Sequence, residues 1–299
     1  MNIIDISSWQ KGLDLATLFR ENPLDGVVVK TTGGVSYVQS TADPWIQWLH
    51  KNGKPWGFYH YLDDDGQHAS GAMEARYFVD NTRSYFGLGV PFVDYEANAL
   101  NHGTKYLLEF LDTVYALTNV KCGVYCSLSV VQSQDFSAIA KQGFPLWVAQ
   151  YADMAVVNGF VENPWQRGSV APFDRYIMQQ YTGNGRLKGY ANALDFDKFF
   201  GTADDWRKLA THGKVDPEPS PTPVPSVLKP ATPEIVLRTL KNEFGVGEQR
   251  YAALRKEGYD PQSVQDTINR LYGIAGMVKS DIGKDMSYLN SILWIVRSI

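Results

Sequence analysis

Cysteine is scarce in this chain: 299 residues hold two, Cys122 and Cys126. That excludes a disulfide-stapled scaffold, which needs many cysteines in a short chain. The pair lies in Lys-Cys-Gly-Val-Tyr-Cys, which reads as a strand. Four strand steps place the two sulfurs on one face but about 13 Å apart, too far for a bond, so both are expected as buried thiols. Basic charge is also in short supply. With 28 Lys+Arg against 32 Asp+Glu the net charge is −4, and a nucleic-acid partner is disfavoured, because neutralising phosphates needs a basic surface. No apolar run is long enough to span a bilayer. The segment Met1-Asn2-Ile3-Ile4-Asp5 lacks the basic stretch and apolar core of an export signal, so none is expected.

What the chain has is aromatic surface and alternation. Aromatic residues make up 13 %, including 8 Trp and 17 Tyr. Their flat apolar faces and polar tips suit stacking on sugars as well as filling a core. Short apolar runs at Asn2–Ile6, Gly26–Thr31, Trp56–Leu62, Val90–Tyr95, Lys121–Cys126, Leu146–Gln150, Tyr176–Tyr181 and Leu194–Phe196 read as strands. Helical-period segments such as Leu13–Arg20, His68–Ser84 and Thr104–Leu117 lie between the early ones. Strand–helix alternation predicts an α/β fold with a parallel sheet, and eight strands at this length predict an irregular β/α barrel over residues 1–210, poor in helix towards its end.

Residues 211–232 change character. Asp216-Pro-Glu-Pro-Ser-Pro-Thr-Pro-Val-Pro225 places proline at every second position, which favours an extended spacer. A small all-α module is expected after it, over 233–273. Thr232-Pro233-Glu234 is a helix start, with Val236, Leu237, Leu240 and Phe244 in helical period. Gly245-Val-Gly247 breaks the pattern, a second helix runs from Glu248 to Glu257, and Asp260-Pro261 opens a third carrying Val264, Ile268 and Leu271. The stretch 274–299 is periodic again (Ile282, Met286, Leu289, Leu293, Val296). It reads as an amphipathic helix for packing or for homo-oligomer formation rather than for a membrane. Residues 228–299 hold 10 Lys+Arg and 8 Asp+Glu, a slight basic excess that would suit an anionic polymer.

Four carboxylates stand out by position. Asp5 ends the first apolar run, Asp94 and Glu96 end Val90-Pro-Phe-Val-Asp-Tyr-Glu, and Asp195 follows Ala193-Leu194. In a parallel barrel such strand ends converge on the ligand face. Asp94 and Glu96, two apart on a strand, point the same way at about 6.5–7 Å along it. Cleaving a glycosidic bond needs one protonated carboxyl and one anionic group. Crowded carboxylates in a partly dry site repel, so one of them keeps its proton.

These residues carry a resemblance. Asp5-Ile-Ser-Ser-Trp-Gln, Val28-Val-Lys30-Thr-Thr-Gly33, Gly57-Phe-Tyr59-His60-Tyr61, Val93-Asp94-Tyr-Glu96, Leu146-Trp147-Val-Ala-Gln-Tyr151, Gln180-Tyr-Thr and Leu194-Asp195-Phe-Asp197 resemble, in order over residues 1–201, the motifs of the glycoside hydrolase family 25 lysozymes. That family often has Asn where Asp197 stands. The resemblance implies cleavage of the β-1,4 bond between N-acetylmuramic acid and N-acetylglucosamine, with no cofactor or metal. It implies Glu96 as general acid, Asp94 as the second carboxylate or the group orienting the substrate's acetamido arm, and Asp5 and Asp195 shaping charge and holding hydroxyls. Tyr59, Tyr125, Trp147, Gln180 and Lys30 match positions expected to line the sugar groove. His60 is expected as a hydrogen-bonded core residue, and Asp63-Asp64-Asp65 as a solvated loop rather than a metal site. The alternative is a non-catalytic peptidoglycan-binding protein on the same fold. A chitinase-like barrel also uses Asp-x-Glu on a strand, but it leaves Asp5 unexplained.

Residues 234–272 resemble the CW_7 (Cpl-7-type) cell-wall-binding repeat through Gly245-Val-Gly-Glu-Gln-Arg250, Leu254, Gly258-Tyr-Asp260 and Val264-Gln265. This implies recognition of the muropeptide unit of peptidoglycan, with Arg250, Tyr259 and Asp260 as candidate contacts. Together the two resemblances are those of a bacteriophage endolysin. They imply a partner in bacterial peptidoglycan, synthesis in a host cytoplasm, and action on the wall after release.

Overall fold

The computed structural model describes residues 1–64, 66, 69–166, 168–211, 229–241, 243–244 and 248–268. They fall in two compact units, Met1–Pro217 and Glu218–Ile299. The first holds strands β1 (Asn2–Ile6), β2 (Gly26–Gly33), β3 (Tyr37–Val38), β4 (Trp56–Tyr61), β5 (Val90–Asp94), β6 (Gly123–Ser127), β7 (Leu146–Ala149), β8 (Val157–Asn158), β9 (Met178–Leu187) and β10 (Tyr190–Phe199). Its helices are α1 (Leu15–Glu21), α2 (Ala42–Lys51), α3 (Gly71–Thr82), α4 (Gly103–Thr118), α5 (Leu128–Ser133), α6 (Ser137–Lys141) and α7 (Ala203–Thr211).

The eight strands β1, β2, β4, β5, β6, β7, β9 and β10 close into a ring, because β1 pairs with both β2 and β10. A closed sheet has no free edge. Seven of these strands run parallel, as the alternation predicts. The eighth does not: β10 is antiparallel to both β9 and β1. The expected all-parallel sheet is corrected here, and the cause is local. Lys188-Gly189 is a two-residue loop between the paired Leu187 and Tyr190, with Gly189 at φ +89°. An X-Gly loop of that length makes a hairpin, not a crossover. Asp195 is therefore not at a strand end. It sits within β10, opposite Asp5.

Side-chain alternation divides the strands between two cores. Ile4, Ile6, Val27, Val29, Phe58, Val93, Val124 and Val148 face outwards onto Leu18, Ile46, Leu49, Phe78 and Phe110 of α1–α4. Ile3, Val28, Tyr59, Phe92, Trp147, Met178 and Phe199 point into the barrel. The interior is packed: a Cβ on Gly123 would meet the Phe92 ring at 2.6 Å. Trp206 of α7 packs among these inward residues and donates its indole N–H to the Trp56 carbonyl at 2.9 Å. Cys122 and Cys126 are buried free thiols, and Cys122 lies just before β6.

The helical starts are fixed by caps. Asp14 accepts from Ala16 N at α1, and Ser70 from Met73 N at α3, so both helices begin later than apolar periodicity alone suggests.

In the second unit, α8 (Pro233–Leu240) is capped by Thr232, and α9 (Glu248–Lys256) is followed by Gly258 at φ +83°. Residues 261–268 are helical. Ile235, Val236, Phe244, Leu254, Val264 and Ile268 form its core. Leu237 and Leu240, read from the sequence as core positions, are exposed. The buried face of α8 instead runs through Ile235, Val236 and Thr239, at the i, i+1, i+4 spacing of one helical stripe. Most of the proline-rich spacer, Gly245–Gly247, Leu271 and the periodic stretch 274–299 lie outside the described residues.

Candidate active site

On four strands the inward-facing residue two steps beyond a core residue reaches the open end of the barrel. Ile3 leads to Asp5, Val28 to Lys30, Phe92 to Asp94, and Met178 to Gln180. There they line a pocket of about 440 Å³ together with Tyr59, Glu96, Tyr125, Trp147 and Asp195. All nine pocket residues expected from the sequence are thus brought together. Strand β5 ends at Asp94, one residue earlier than expected. The backbone stays extended through Glu96 (φ −149°, ψ −176°), so Asp94 and Glu96 still share a side. Tyr95, between them, faces outwards, buried against Phe136, and donates to Gln134 at 2.6 Å.

The pocket has a built hydrogen-bond wall. The Tyr125 and Tyr151 hydroxyls both donate to Gln180 Oε1, at 2.7 and 2.5 Å, and Gln180 Nε2 donates to Asp5 Oδ2 at 2.7 Å. Beneath Asp5, Asp197 is fully buried and accepts from the Trp147 indole N–H at 2.8 Å. On the opposite wall Lys30 is paired with Asp64 at 2.7 Å and lies 4.4 Å from the Tyr61 ring centre. Tyr61 and Glu96 both line the pocket, and Tyr61 lowers the proton affinity of Glu96.

Burial governs the charge state. It pushes the Asp94 carboxyl well above the usual range, with Glu96 and Asp5 adding to the rise and Lys30 opposing it. Asp5 is raised well by burial and then by Asp195. Asp195 is pushed up to about 6 by burial and by Glu96. Glu96 is raised by burial, while Tyr61 and Lys30 hold it down. Four crowded carboxyls in a half-dry pocket therefore retain protons that isolated ones would lose.

The structure adds pocket residues that sequence reasoning passes over: Ser7, Trp9, Gln10, Tyr61 and Tyr151. Tyr61 is legible from strand alternation, being two residues from Tyr59. Trp9 and Gln10 stand in the opening motif Asp5-Ile-Ser-Ser-Trp-Gln. The solvated-loop reading of Asp63-Asp64-Asp65 is corrected. Asp63 is fully buried at φ +50°, its N–H donates to Glu74 at 3.0 Å, and its carboxylate meets His102 at 3.1 Å. Asp64 holds Lys30, and Asp65 is outside the described residues. His60 is a core residue as expected, between Thr32 (2.8 Å) and Glu74 (2.8 Å), and Tyr106 also donates to Glu74. This buried network pins the loop that carries Asp64.

In the second unit, Arg250 lies on α9 and Tyr259 is half-buried, with its backbone paired to Lys229. Asp260 Oδ1 accepts from Gln262 N at 3.0 Å as a helix cap. None of the three lines that unit's cavity, which is formed by Arg238, Glu243, Phe244, Ala253, Lys256 and Glu257.

Several carboxyl groups crowded around a pocket walled by tyrosine and tryptophan can supply the proton donor and the anionic partner that cleavage of a glycosidic bond requires, and the class this barrel and pocket define is a glycoside hydrolase. Within that class the chain belongs to the glycosyl hydrolases family 25, whose model matches residues 4–190. It is 24 % identical over 271 residues to the lysozyme of Streptococcus phage Cp-7, covering 90 % of this chain and 69 % of that protein. It is 26 % identical over 203 residues to an autolytic lysozyme of Clostridium acetobutylicum, covering 67 % of this chain and 56 % of that one. Among solved structures, the lysozyme of Streptomyces coelicolor shares the fold at TM-score 0.58 and 22 % identity, covering 72 % of this chain and 98 % of that one. A muramidase of Acremonium alcalophilum does so at 0.57 and 24 %, covering 72 % of this chain and all of that one.

Proposed function

We propose that the barrel hydrolyses the β-1,4 bond between N-acetylmuramic acid and N-acetylglucosamine in bacterial peptidoglycan, with Glu96 as general acid. The observation that carries this is the convergence of Asp5, Asp94, Glu96 and Asp195 on one pocket. Glu96 is the longest of the four side chains and only half-buried, so it can reach a leaving oxygen. Its raised affinity for a proton suits a donor working near neutrality. Asp94 is buried, and its Oδ1 has no hydrogen-bond partner among the described residues. A buried carboxylate oxygen without a donor is costly. The acetamido N–H of a bound sugar would supply that donor and aim the acetamido oxygen at the anomeric carbon. Asp94 thus serves as the orienting base of a substrate-assisted cleavage. Asp5 and Asp195 stabilise positive charge developing on the sugar ring.

The second unit holds the wall. The 271-residue match to the Cp-7 phage lysozyme is longer than the barrel, so it takes in part of this unit. The contacts proposed there are Arg250, Tyr259 and Asp260. Stretch 274–299, outside the described residues, is proposed for packing or for self-association, and pairing of copies would strengthen a weak single binder. The whole is an endolysin-type enzyme, made in a host cytoplasm and reaching the wall on release.

The test is the new end created on purified walls. Wild type is expected to leave reducing N-acetylmuramic acid, and Glu96→Gln to lose about 10²–10⁴ in rate. A reducing N-acetylglucosamine end, a cut peptide, or equal clearing by Glu96→Gln would overturn it.

A further inference from the structure

Trp9 is 88 % exposed, and no other large apolar side chain among the described residues is as open to solvent. Tryptophan is seldom left so, since its indole offers more apolar area than almost any other side chain. Its position is nevertheless fixed. It sits in a single 3-10 turn, Ser8–Gln10, four residues after Asp5. The turn is closed by a reciprocal cap: Ser7 N–H donates to Gln10 Oε1 at 2.8 Å, and Trp9 N–H donates to Ser7 Oγ at 3.3 Å. Gln10 is buried, and Leu13 N–H donates to its carbonyl at 3.0 Å. The platform is thus rigid in its backbone and open on its face.

Trp9 also borders the acidic pocket. A volume of about 440 Å³ falls in the range that encloses a drug-sized ligand, about 300–1,000 Å³, not a long polymer. A glycan strand cut internally must leave the pocket at its rim, and the residue waiting there is a flat, apolar, pre-positioned ring.

We infer that Trp9 is a sugar-stacking platform at the rim of the cleavage pocket, binding a pyranose ring of the glycan strand beyond the two residues whose bond is broken. This rests on the glycan-cleaving reading above. The ring's axial C–H face lies on the indole. Stacking asks for no particular hydroxyl, so the platform tolerates the bulky substituents that alternate along a wall glycan. Because the contact is remote from the reacting atoms and equal in ground and transition state, it lowers KM and leaves kcat alone.

The experiment compares full-length wild type, Trp9→Ala and Trp9→Tyr on long, peptide-free wall glycan strands and on the shortest oligosaccharide the enzyme cleaves. On long strands Trp9→Ala is expected to raise KM about fivefold to tenfold, the loss of one aromatic stacking contact, with kcat within about twofold. Trp9→Tyr keeps a ring and recovers most of the affinity. On the short substrate the three proteins differ far less than on long strands. A side chain this exposed is expendable for folding, and equal thermal midpoints confirm it. Unchanged KM on long strands, or an equal rise on the short substrate, overturns the platform while leaving Glu96 as acid. Wild type that cleaves neither substrate overturns the glycan-cleaving reading itself.

Discussion

The buried carboxyl groups of Asp5 and Asp197 are neighbours inside the barrel: burial raises the proton affinity of both, and the charge of Asp5 raises that of Asp197 further. Asp197 Oδ1 accepts from Trp147, while its Oδ2 has no donor among the described residues. Asp5 already accepts from Gln180. Burial and then the charge of Asp5 push Asp197 well above the usual carboxylate range, and Asp197 is expected to keep the proton and turn it towards Asp5. An asparagine would reproduce this arrangement permanently, accepting from Trp147 through its oxygen and donating to Asp5 through its nitrogen. Asp197→Asn is therefore expected to retain activity within about threefold, since it exchanges one donor for another. Asp197→Leu, of similar size, strands the Trp147 N–H and costs about 1–3 kcal/mol of stability. Rates and urea melts of both variants check this. Equal damage by Asn and Leu would mean that Asp197 acts as an anion.

Asp195 ties stability to pH. Its carboxyl rises from 3.8 to about 6 in the fold, so the folded state holds a proton that the unfolded chain has released. The associated stability is complete below about pH 3.8 and is lost as the pH climbs through about 6. A rise of that size corresponds to at most about 3 kcal/mol, shared with the neighbouring acids. Asp195→Asn removes this dependence. The stability of the variant relative to wild type should grow by about 2–3 kcal/mol between about pH 4 and pH 7, read from urea midpoints across that range. Parallel pH curves for the two proteins would contradict it.

Gln180 orients Asp5 rather than touching the bond that breaks. It collects two tyrosine hydroxyls and passes one N–H to the carboxylate. Hydrogen bonds to a charged acceptor contribute about 1.5–3 kcal/mol. Gln180→Leu should therefore lower kcat about tenfold to a hundredfold and move the acidic limb of its pH profile upward, because that N–H holds the Asp5 carboxyl down. Tyr125→Phe and Tyr151→Phe should each cost little alone, since either hydroxyl still fixes the amide. The double variant should approach Gln180→Leu. Strict additivity of the two single changes would show that the tyrosines do not share this task.

Most of the pocket can be read from the chain because one rule, alternation along a strand, couples core to site. An apolar residue facing the barrel interior predicts that the residue two places on faces it too. Asp5, Lys30, Asp94 and Gln180 are legible for that reason. The rule fails where the sheet reverses. Apolar patterning assigns Asp195 to a short parallel strand, Leu194–Phe196, whereas Lys188-Gly189 folds it and Asp197 back on a ten-residue antiparallel one. It is equally silent on loops. Asp63 looks like a solvated acid, yet the buried Glu74, on a helix eleven residues further on, draws it inside. Trp9 has no periodicity to betray it, because a single 3-10 turn sets its direction.

Lys30 and Asp64 set the working pH from opposite sides. Lys30 lowers the proton affinity of both Asp94 and Glu96, whereas Asp64 raises that of Asp94 and forms an ion pair with Lys30 at 2.7 Å. The pair is largely shielded from solvent, so salt screens it weakly. Removing the cation alone, by Lys30→Met, lets Asp94 and Glu96 hold protons to higher pH. Both limbs of the kcat/KM profile should then move up together, by about one pH unit for about 1.4 kcal/mol of lost interaction. Removing the anion alone, by Asp64→Asn, releases Lys30 to act on the two acids, and the same profile should move down. Opposite displacements from neighbouring substitutions are hard to obtain from a general loss of structure, which lowers rates without choosing a direction. Profiles displaced the same way by both variants would show that the pair serves only to anchor the loop.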